Sequence, residues 1–352
     1  MTPQSTPSLP TRFAARRVSI AAALACGLLL SACGGGDAAS TPATSLSQPD
    51  ATADAANATS SGSDTTTALD TVIDTTSLLA ASAAQAAVAS SADRMQALSA
   101  PAEARPDASP PVTNVTVNCA GGGTATLSIT GGTVAGQLDG QLDAGEHYSV
   151  TYAQCTGQAG HAQLDGQVAM DVVSADHTTS PSSVAVDLTV THLALTLPSG
   201  GATLDGTATV SRSVATAGGI TTTTSHATVP AATLATRYNA RSGTFTLSDL
   251  DATRIVTSSA GVVTGSEYSG HHTLAGTANG RTFSMTVATT GNVLYDATGA
   301  LVSGAWTVVR PRATIATALA NGIVVITVDD GNDGTIDHTW TFPVGQLAAA
   351  AG

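Results

Sequence analysis

Residues 161–172 read HAQLDGQVAMDV and carry the clearest structural signal in the chain. The even positions hold small or apolar side chains such as Leu164, Val168 and Met170, whereas polar residues such as Gln163 and Asp171 occupy most odd positions. Successive side chains of a β-strand point to opposite faces of the sheet, so this alternation is typical of a strand with one buried and one solvated face. Strands of that kind belong mostly to antiparallel sheets.

Similar alternation recurs along the rest of the chain. It is found in residues 184–190, 202–214, 245–247, 283–287, 302–308 and 324–328. Turn-forming pairs such as Gly218-Gly219 and Asn279-Gly280 separate these segments, as expected for antiparallel neighbours. We therefore predict an all-β domain over residues 112–347: an antiparallel meander forming a barrel or a strongly curved sheet.

A four-residue motif is repeated loosely within this domain. It reads QLDG at 137–140 and 163–166, TLDG at 203–206 and TLAG at 273–276. The irregular spacing argues against a solenoid. Gly166 and Gly206 fall on the apolar faces of their strands, a position that indicates a bend or a close approach of backbone.

The residues before the sheet have a different composition. Residues 33–65 are mainly Ser, Thr, Ala, Asp and Gly, which bury too little surface to offset the entropy of ordering, so we predict a flexible tether. Residues 66–111 become Ala-rich with loosely helical spacing, which predicts one or two helices and a linker, acting as a stalk or a lid. Residues 348–352 form a short tail.

The first 32 residues have the pattern of an export signal. Arg12, Arg16 and Arg17 precede an apolar run at 18–30, whose 13 residues are too few for the roughly 20 that span a bilayer as a helix. The run ends in Leu30-Ser31-Ala32-Cys33, which resembles the lipobox of bacterial lipoproteins. An ordinary secretory signal is the alternative.

The lipobox resemblance implies a modification, a partner and a location. Signal residues 1–32 would be removed, Cys33 would carry acyl chains such as palmitate, and membrane lipid would be the partner. Two or three acyl chains give stable anchoring, whereas one chain gives only marginal binding. By the same resemblance, Gly34 after the cysteine implies the outer membrane of a Gram-negative cell envelope.

The charge of the chain excludes one class of partner. All 12 basic residues are Arg, and removal of the signal leaves nine of them against 25 acids, a net charge of −16. Such a surface repels phosphate backbones, so we predict no nucleic-acid binding. Aromatic residues make up only 3% of the chain, which argues against the aromatic girdles of a transmembrane barrel, an alternative that strands near ten residues long leave open.

Two cysteines remain after the signal and the lipid site are set aside. In an oxidising compartment Cys119 and Cys155 are most simply a disulfide that joins two strands. Two buried free thiols are the alternative.

Two polar segments are candidate sites. Asp329, Asp333 and Asp337 lie in the sequence DDGNDGTID and form a weak calcium candidate, but an EF-hand loop fails at Gly331 and at Trp340. A hairpin turn is the preferred interpretation. His271 and His272 point to opposite faces of a predicted strand, and we expect both to be exposed.

No motif in the sequence assigns catalytic or cofactor-binding residues, and we predict no cofactor. The β domain resembles uncharacterised envelope lipoproteins whose domain opens with a Cys-Gly-Gly stretch, a likeness that implies no activity. The leading hypothesis is a non-enzymatic structural or surface-interaction role, with the protein partner left open. The alternatives are binding of an apolar small molecule or lipid inside a barrel and a secreted hydrolase, which needs a nucleophile within hydrogen-bond reach of a histidine.

Overall fold

The computed structural model describes residues 45–97, 114–119, 122–137, 139–156, 163–197, 200–238, 241–278 and 281–350. Three helices flank or interrupt the strands: α1 Gln48–Ala97, α2 Val134–Gln137 and α3 Val344–Ala350. The strands are β1 Val115–Asn118, β2 Gly122–Gly131, β3 Glu146–Thr156, β4 Gln163–Asp176, β5 Ser182–Leu197, β6 Gly200–Ala217, β7 Ile220–Tyr238, β8 Arg241–Ser259, β9 Val262–Ala278, β10 Arg281–Asp296, β11 Leu301–Arg310, β12 Ala313–Ala320, β13 Ile323–Asp330 and β14 His338–Pro343.

All fourteen strands form one antiparallel sheet in which each strand pairs with its neighbours in sequence. The order runs from β1 to β14 without a crossover, and within the described strands no pairing joins β1 to β14. The predicted all-β meander is therefore confirmed, in the form of an open sheet. The short turns account for this topology because a tight turn can only return the chain antiparallel to the strand it has just left.

One face of the sheet carries the core. In β3 the residues from Glu146 to Tyr152 alternate between buried and exposed, as do those of β12 from Ala313 onward. Nearly all buried hydrophobic residues of β2 to β14 belong to a single cluster with those of α1 and α3. A helix is only about 10 Å wide, so it cannot cover this face alone, and the sheet must curve around it. We call the buried face the inner face.

Helix α1 begins earlier than the sequence predicts. The prediction of a flexible tether over residues 33–65 is corrected for residues 48–65, which are helical. Ser47 caps the helix, since its hydroxyl accepts a hydrogen bond from the amide of Asp50 at 3.3 Å. Ala51, Ala55 and Ala58 are 0% exposed against the core. Tertiary packing therefore provides the stability that this polar sequence lacks by itself.

The helix crosses the strands of the inner face in order. The backbone amide of Leu46, just before the helix, donates hydrogen bonds to the carboxylate of Asp330 at the end of β13. Farther along, Ala55 contacts β11, Ser61 contacts β9, Asp70 contacts β8 and Asp74 contacts β6. The helix thus links strands that are seven positions apart in the sheet order.

The repeated motif forms a bulge that bends the sheet at two of its four positions. Asp165 accepts a hydrogen bond from the amide of Gln154 on β3, and Asp205 accepts one from the amide of His192 on β5. Both donors have positive φ, 49° and 47°, and both pairings shift register there. A Cβ on Gly166 would lie 2.2 Å from the carbonyl oxygen of His192. The close backbone approach predicted at this glycine is confirmed.

The end of the β domain also differs from the prediction. The last strand ends at Pro343, and residues 344–350 form α3, so the strand region predicted to reach residue 347 is slightly shorter. Leu347 of α3 is 3% exposed and belongs to the core. The contacts of α3 are with α1, β13 and β14, at one edge of the sheet.

Candidate functional site

The polar groups of the inner face are concentrated where α1 lies on the sheet. We call this contact the seam and define it by the α1 residues Asp54, Ser61, Gly62, Asp70 and Asp74 and the strand residues Arg212, Arg254, Tyr268, His272, Trp306 and Arg310. The rest of the inner face is mainly aliphatic. The seam is therefore the candidate functional site.

Three ion pairs fasten the helix to the strands. Asp54 pairs with Arg310 at 2.5 Å, Asp70 with Arg254 at 2.9 Å, and Asp74 with Arg212 at 2.5 Å. Burial raises the pKa of Asp54 to about 6, although the adjacent Arg310 acts in the opposite direction. Desolvation therefore outweighs the attraction of the arginine at this pair.

A serine and a histidine meet at the middle of the seam. The Oγ of Ser61 lies 2.8 Å from Nε2 of His272, and His272 is only 1% exposed. The prediction that His271 and His272 are both exposed is wrong for His272, because alternation places it on the inner face while His271 stays outside. Burial, with a smaller contribution from His271, lowers the pKa of His272 to about 4.

This pair has the distance of a catalytic dyad but lacks its other parts. In the described residues Nδ1 of His272 has no hydrogen-bond partner, so no carboxylate orients the imidazole. A histidine with a pKa near 4 is a weak base at neutral pH. The hydroxyl of Ser61 also donates to the carbonyl of Ala58 within α1. The geometry favours a buried polar contact between helix and sheet.

Several buried polar atoms at the seam and beside it lack hydrogen-bond partners within the described part of the chain. Buried polar atoms without a hydrogen-bond partner in the described residues include Asp70 Oδ1, Thr76 Oγ1, Arg212 Nε, Tyr268 Oη and His272 Nδ1. Ser225 and Thr317 add two more, and they pair in register with Arg254 and Trp306. Each such atom costs about 1–3 kcal/mol when buried. The helix therefore lies on this face less favourably than its apolar contacts alone imply.

A pocket opens at one end of the seam. It is shallow and largely open to solvent, with a volume of about 300 Å³. Ile73, Leu142, Val184 and Val214 form its apolar wall, and the ion pair of Arg212 with Asp74 lies beside them. His177 stands at the pocket too, and its Nε2 is 3.0 Å from the carbonyl oxygen of Leu142. The pocket joins an apolar wall to a cation.

The weak calcium candidate behaves as a turn. Both oxygens of Asp329 accept hydrogen bonds from backbone amides, those of residues 333 and 334, at 3.1 and 2.9 Å. Asp333 accepts one from the amide of Thr335, and Asp337 accepts one from the amide of Asp330. These contacts agree with the preferred turn interpretation. Among the described residues, no group of three or more His, Cys, Asp or Glu side chains is arranged to hold a metal ion.

The two predicted cysteine sites have different outcomes. Cys119 and Cys155 form a disulfide, so that prediction is confirmed. It ties the turn between β1 and β2 to the end of β3. Cys33 lies outside the described residues, so its acylation stays a prediction. No helix in the described ranges has the length and apolar character needed to cross a membrane.

Comparison of the chain with protein-family models, curated proteins and solved structures finds no match. The fold and the seam thus define the chain only as an open antiparallel meander with a helix of its own on the inner face. Sequence reasoning missed Ser61 and His272 as a pair, because 211 residues separate them and neither lies in a recognisable motif.

Proposed function

We propose that the chain is a lipid-anchored protein of a Gram-negative cell envelope, held on the outer membrane through acylated Cys33 and acting without catalysis in envelope structure or surface interaction. The export pattern and the lipobox resemblance support the anchor. The observation that carries the non-enzymatic role is the position of α1, which occupies the inner face with its own buried side chains.

The outer face supports the surface-interaction part of the proposal. Its side chains pair across strands, as in the hydrogen bond from Thr209 to Asp187 at 2.8 Å and the contact of His226 with Asp251 at 3.0 Å. These residues are exposed and polar. With the helix behind it, the sheet presents a broad hydrophilic surface to other envelope components.

The position of the start of α1 limits how far an anchor at Cys33 would hold the domain from the membrane. Leu46 is bonded to Asp330, next to the turn between β13 and β14. The 13 residues from Cys33 to that point span at most about 45 Å when fully extended. The β13–β14 end would therefore lie within about 45 Å of the membrane surface.

Metabolic labelling with palmitate tests the anchor. The native chain is expected to take up label and to sediment with membranes, and Cys33→Ala is expected to lose both. Cys26→Ala is the matched control, because that cysteine lies inside the signal and should be dispensable. Label retained by Cys33→Ala would overturn the proposal.

Complementation tests the non-enzymatic role. In a strain lacking the gene, Ser61→Ala is expected to restore envelope integrity as well as the native chain does, measured as resistance to detergent and chelator. The control is Gly345→Ala in α3, whose added Cβ has nothing within 4 Å, and it should complement fully as well. Loss of complementation by a folded, correctly located Ser61→Ala would favour the hydrolase alternative.

Binding of an apolar small molecule or lipid is the second candidate. The pocket beside Arg212 and the unsatisfied seam favour it, since a carboxylate could pair with the guanidinium while an alkyl chain meets Ile73 and Val184. Mass spectrometry of solvent extracts from purified protein tests it. Stoichiometric lipid that is lost in Arg212→Met would support this function, and its absence would remove it.

A further inference from the structure

A carboxyl group outside the seam is buried at the start of β3. Glu146 is 0% exposed, and its Oε1 has no hydrogen-bond partner in the described residues. Its Oε2 accepts a hydrogen bond from the amide of Asp143 at 2.9 Å. An ionised carboxylate in such a place costs much more than a neutral acid, because desolvation penalises the charged form. The protonation state of Glu146 therefore decides whether its burial is stable.

The hydrogen bonds of Tyr148 indicate which protonation state the closed structure holds. The hydroxyl of Tyr148 lies 3.0 Å from the carbonyl oxygen of Gln141 and 2.5 Å from Oε2 of Glu146. A phenol has one proton to donate, and a carbonyl oxygen can only accept. Both contacts are hydrogen bonds only when Glu146 donates to Tyr148 and Tyr148 donates to Gln141. The arrangement therefore fits the neutral acid.

The acids beside Glu146 favour the same state. A Cβ built on Gly136 of α2 would lie 2.7 Å from Asp143 Oδ2 and 3.2 Å from Glu146 Oε1, so the two carboxyl groups are close neighbours. His177, in the turn after β4, pairs with the other oxygen of Asp143 at 3.6 Å, which favours Asp143 as the ionised member. Burial is the main cause that raises the pKa of Glu146, and the charges of Asp143 and Asp139 act in the same direction, against hydrogen bonds to the charged form.

The cations and imidazoles on the surrounding elements are engaged elsewhere. His147, the next residue on β3, lies on the outer face and pairs with Asp171 of β4. Arg212, which lines the pocket, is paired with Asp74 of α1. Within the described residues, Glu146 has no ion pair of its own. A proton is therefore the available means of neutralising it.

The side chain of Glu146 is enclosed by the segment between β2 and β3, of which residues 132–137 and 139–145 are described. We call it the β2–β3 segment. A Cβ on Gly132 would lie 2.7 Å from Cγ of Glu146, so the segment closes tightly on the acid. Leu142 in the same segment is 5% exposed, so the closed segment buries apolar surface as well. Opening the segment would bring water to both side chains.

We propose that Glu146 is a proton-dependent latch for the β2–β3 segment. The neutral acid holds the segment closed, and loss of its proton to solvent opens the segment, so that water reaches both carboxylate oxygens. Gly140, Gln141 and Leu142 of this segment line the pocket, so the latch also decides the shape of the pocket wall. This conformational role depends neither on the lipid anchor nor on a ligand in the pocket.

The latch has a definite pH dependence. Because the pKa of Glu146 is higher in the closed segment than in the open one, closure is strongest at low pH and weakens as pH rises. Between these two pKa values each opening event releases one proton, so the opening equilibrium constant should increase about tenfold per pH unit. Burial also raises the pKa of Tyr148, so its hydroxyl keeps its proton throughout.

Hydrogen–deuterium exchange of the full chain tests the latch from about pH 5 to about pH 9, a range that includes the pKa values documented for buried glutamates. After correction for intrinsic exchange, protection of the β2–β3 segment in the native chain is expected to fall about tenfold per pH unit over part of this range, whereas protection of β12 stays constant. In Glu146→Gln, whose amide can donate to Tyr148 as the neutral acid does, protection of the segment should not change with pH. Glu267→Gln, the same chemical change on the outer face of β9, should behave as the native chain does.

Three results would overturn the proposal. The first is a native chain whose β2–β3 segment keeps constant protection across the range. The second is a folded Glu146→Gln that loses protection with the native pH dependence, because the titrating group would then be another residue, such as His177. The third uses Tyr148→Phe, which removes the hydroxyl between Glu146 and Gln141 and does not depend on the folding of Glu146→Gln. This variant should lower protection of the segment about tenfold at pH 5, and unchanged protection would contradict the latch.

Discussion

Gly62 offers a direct test of whether α1 lies on the inner face as described. It lies in the interior of the helix, where glycine is less favourable than alanine by about 1 kcal/mol. A Cβ at this position would lie 2.0 Å from the hydroxyl oxygen of Tyr268 and 3.1 Å from Cε1 of His272. Tyr268 is 3% exposed and cannot swing into solvent. Propensity and packing therefore predict opposite signs for Gly62→Ala.

The overlap is expected to outweigh the gain in helix propensity. Forcing an extra carbon into a packed contact costs about 1–3 kcal/mol, and a contact of 2.0 Å belongs at the upper end. After the propensity gain of about 1 kcal/mol, Gly62→Ala should destabilise the protein by about 1–2 kcal/mol. For a domain of this size the melting temperature should fall by about 2–8 °C.

Differential scanning calorimetry with two further variants completes the test. Gly345→Ala in α3 is the control, because nothing lies within 4 Å of its added Cβ, and it should raise stability by about 0.5 kcal/mol. Tyr268→Phe removes the hydroxyl nearest to the new carbon, so the penalty of Gly62→Ala should shrink in that background. A Gly62→Ala variant that melts higher, as Gly345→Ala does, would show that α1 does not pack on the inner face.

Four further predictions concern stability, two of them its dependence on pH, one the disulfide and one the bulge. The lowered pKa of His272 contributes stability that is present above about pH 6.5 and is lost as pH falls towards 4, so the stability of the native chain relative to His272→Gln should decrease by up to about 3 kcal/mol over that range in urea titrations. The raised pKa of Asp54 acts in the opposite sense, because the stability it contributes is present below about pH 4 and is lost as pH rises to 6. The free energy of unfolding of Asp54→Asn, relative to that of the native chain, should therefore be most favourable near pH 7. For either variant, a difference from the native chain that does not change with pH would contradict the burial of that group. Replacing both Cys119 and Cys155 by Ser opens a link of 36 residues and should reduce stability by about 4 kcal/mol, with reductant lowering the melting temperature of the native chain but not of the variant. Gly166→Ala places a Cβ 2.2 Å from the carbonyl oxygen of His192 at a φ of 117° and should destabilise by about 2 kcal/mol or more, whereas Gly218→Ala in an open turn has only its φ of 58° to oppose and should cost less; equal effects would refute the role of the close approach.

Part of the fold was predictable because β-strands and turns leave local patterns in the sequence. The alternation at Val168 and Met170 indicates which face of the strand is buried, and the glycine pairs indicate where the chain turns. The disulfide was predictable as well, since Cys119 and Cys155 are the only two cysteines in the sequence of the predicted β domain. Local composition failed for residues 48–65, whose Ser and Thr residues gave no sign that a sheet would cover Ala51 and Ala55.

The candidate sites were not predictable to the same degree. Glu146 and Asp143 are separated by two residues, but sequence could not tell that Glu146 would be buried and Asp143 would turn back beside it. For His272 the sequence carried partial information, because adjacent strand residues point to opposite faces and one of His271 and His272 therefore had to point inward. Nothing in the sequence indicated that Ser61 would meet it.

The sequence by itself determined the all-β class, the strands with clear alternation, the antiparallel order and the cysteine pair. Each of these depends on neighbours along the chain or, for the disulfide, on a choice between very few cysteines. The tertiary structure alone decided that the sheet stays open, that α1 crosses its inner face, and which polar groups become buried together. Those outcomes depend on contacts between residues as many as 284 positions apart, and burial changes the energy of a charge only after such contacts exist.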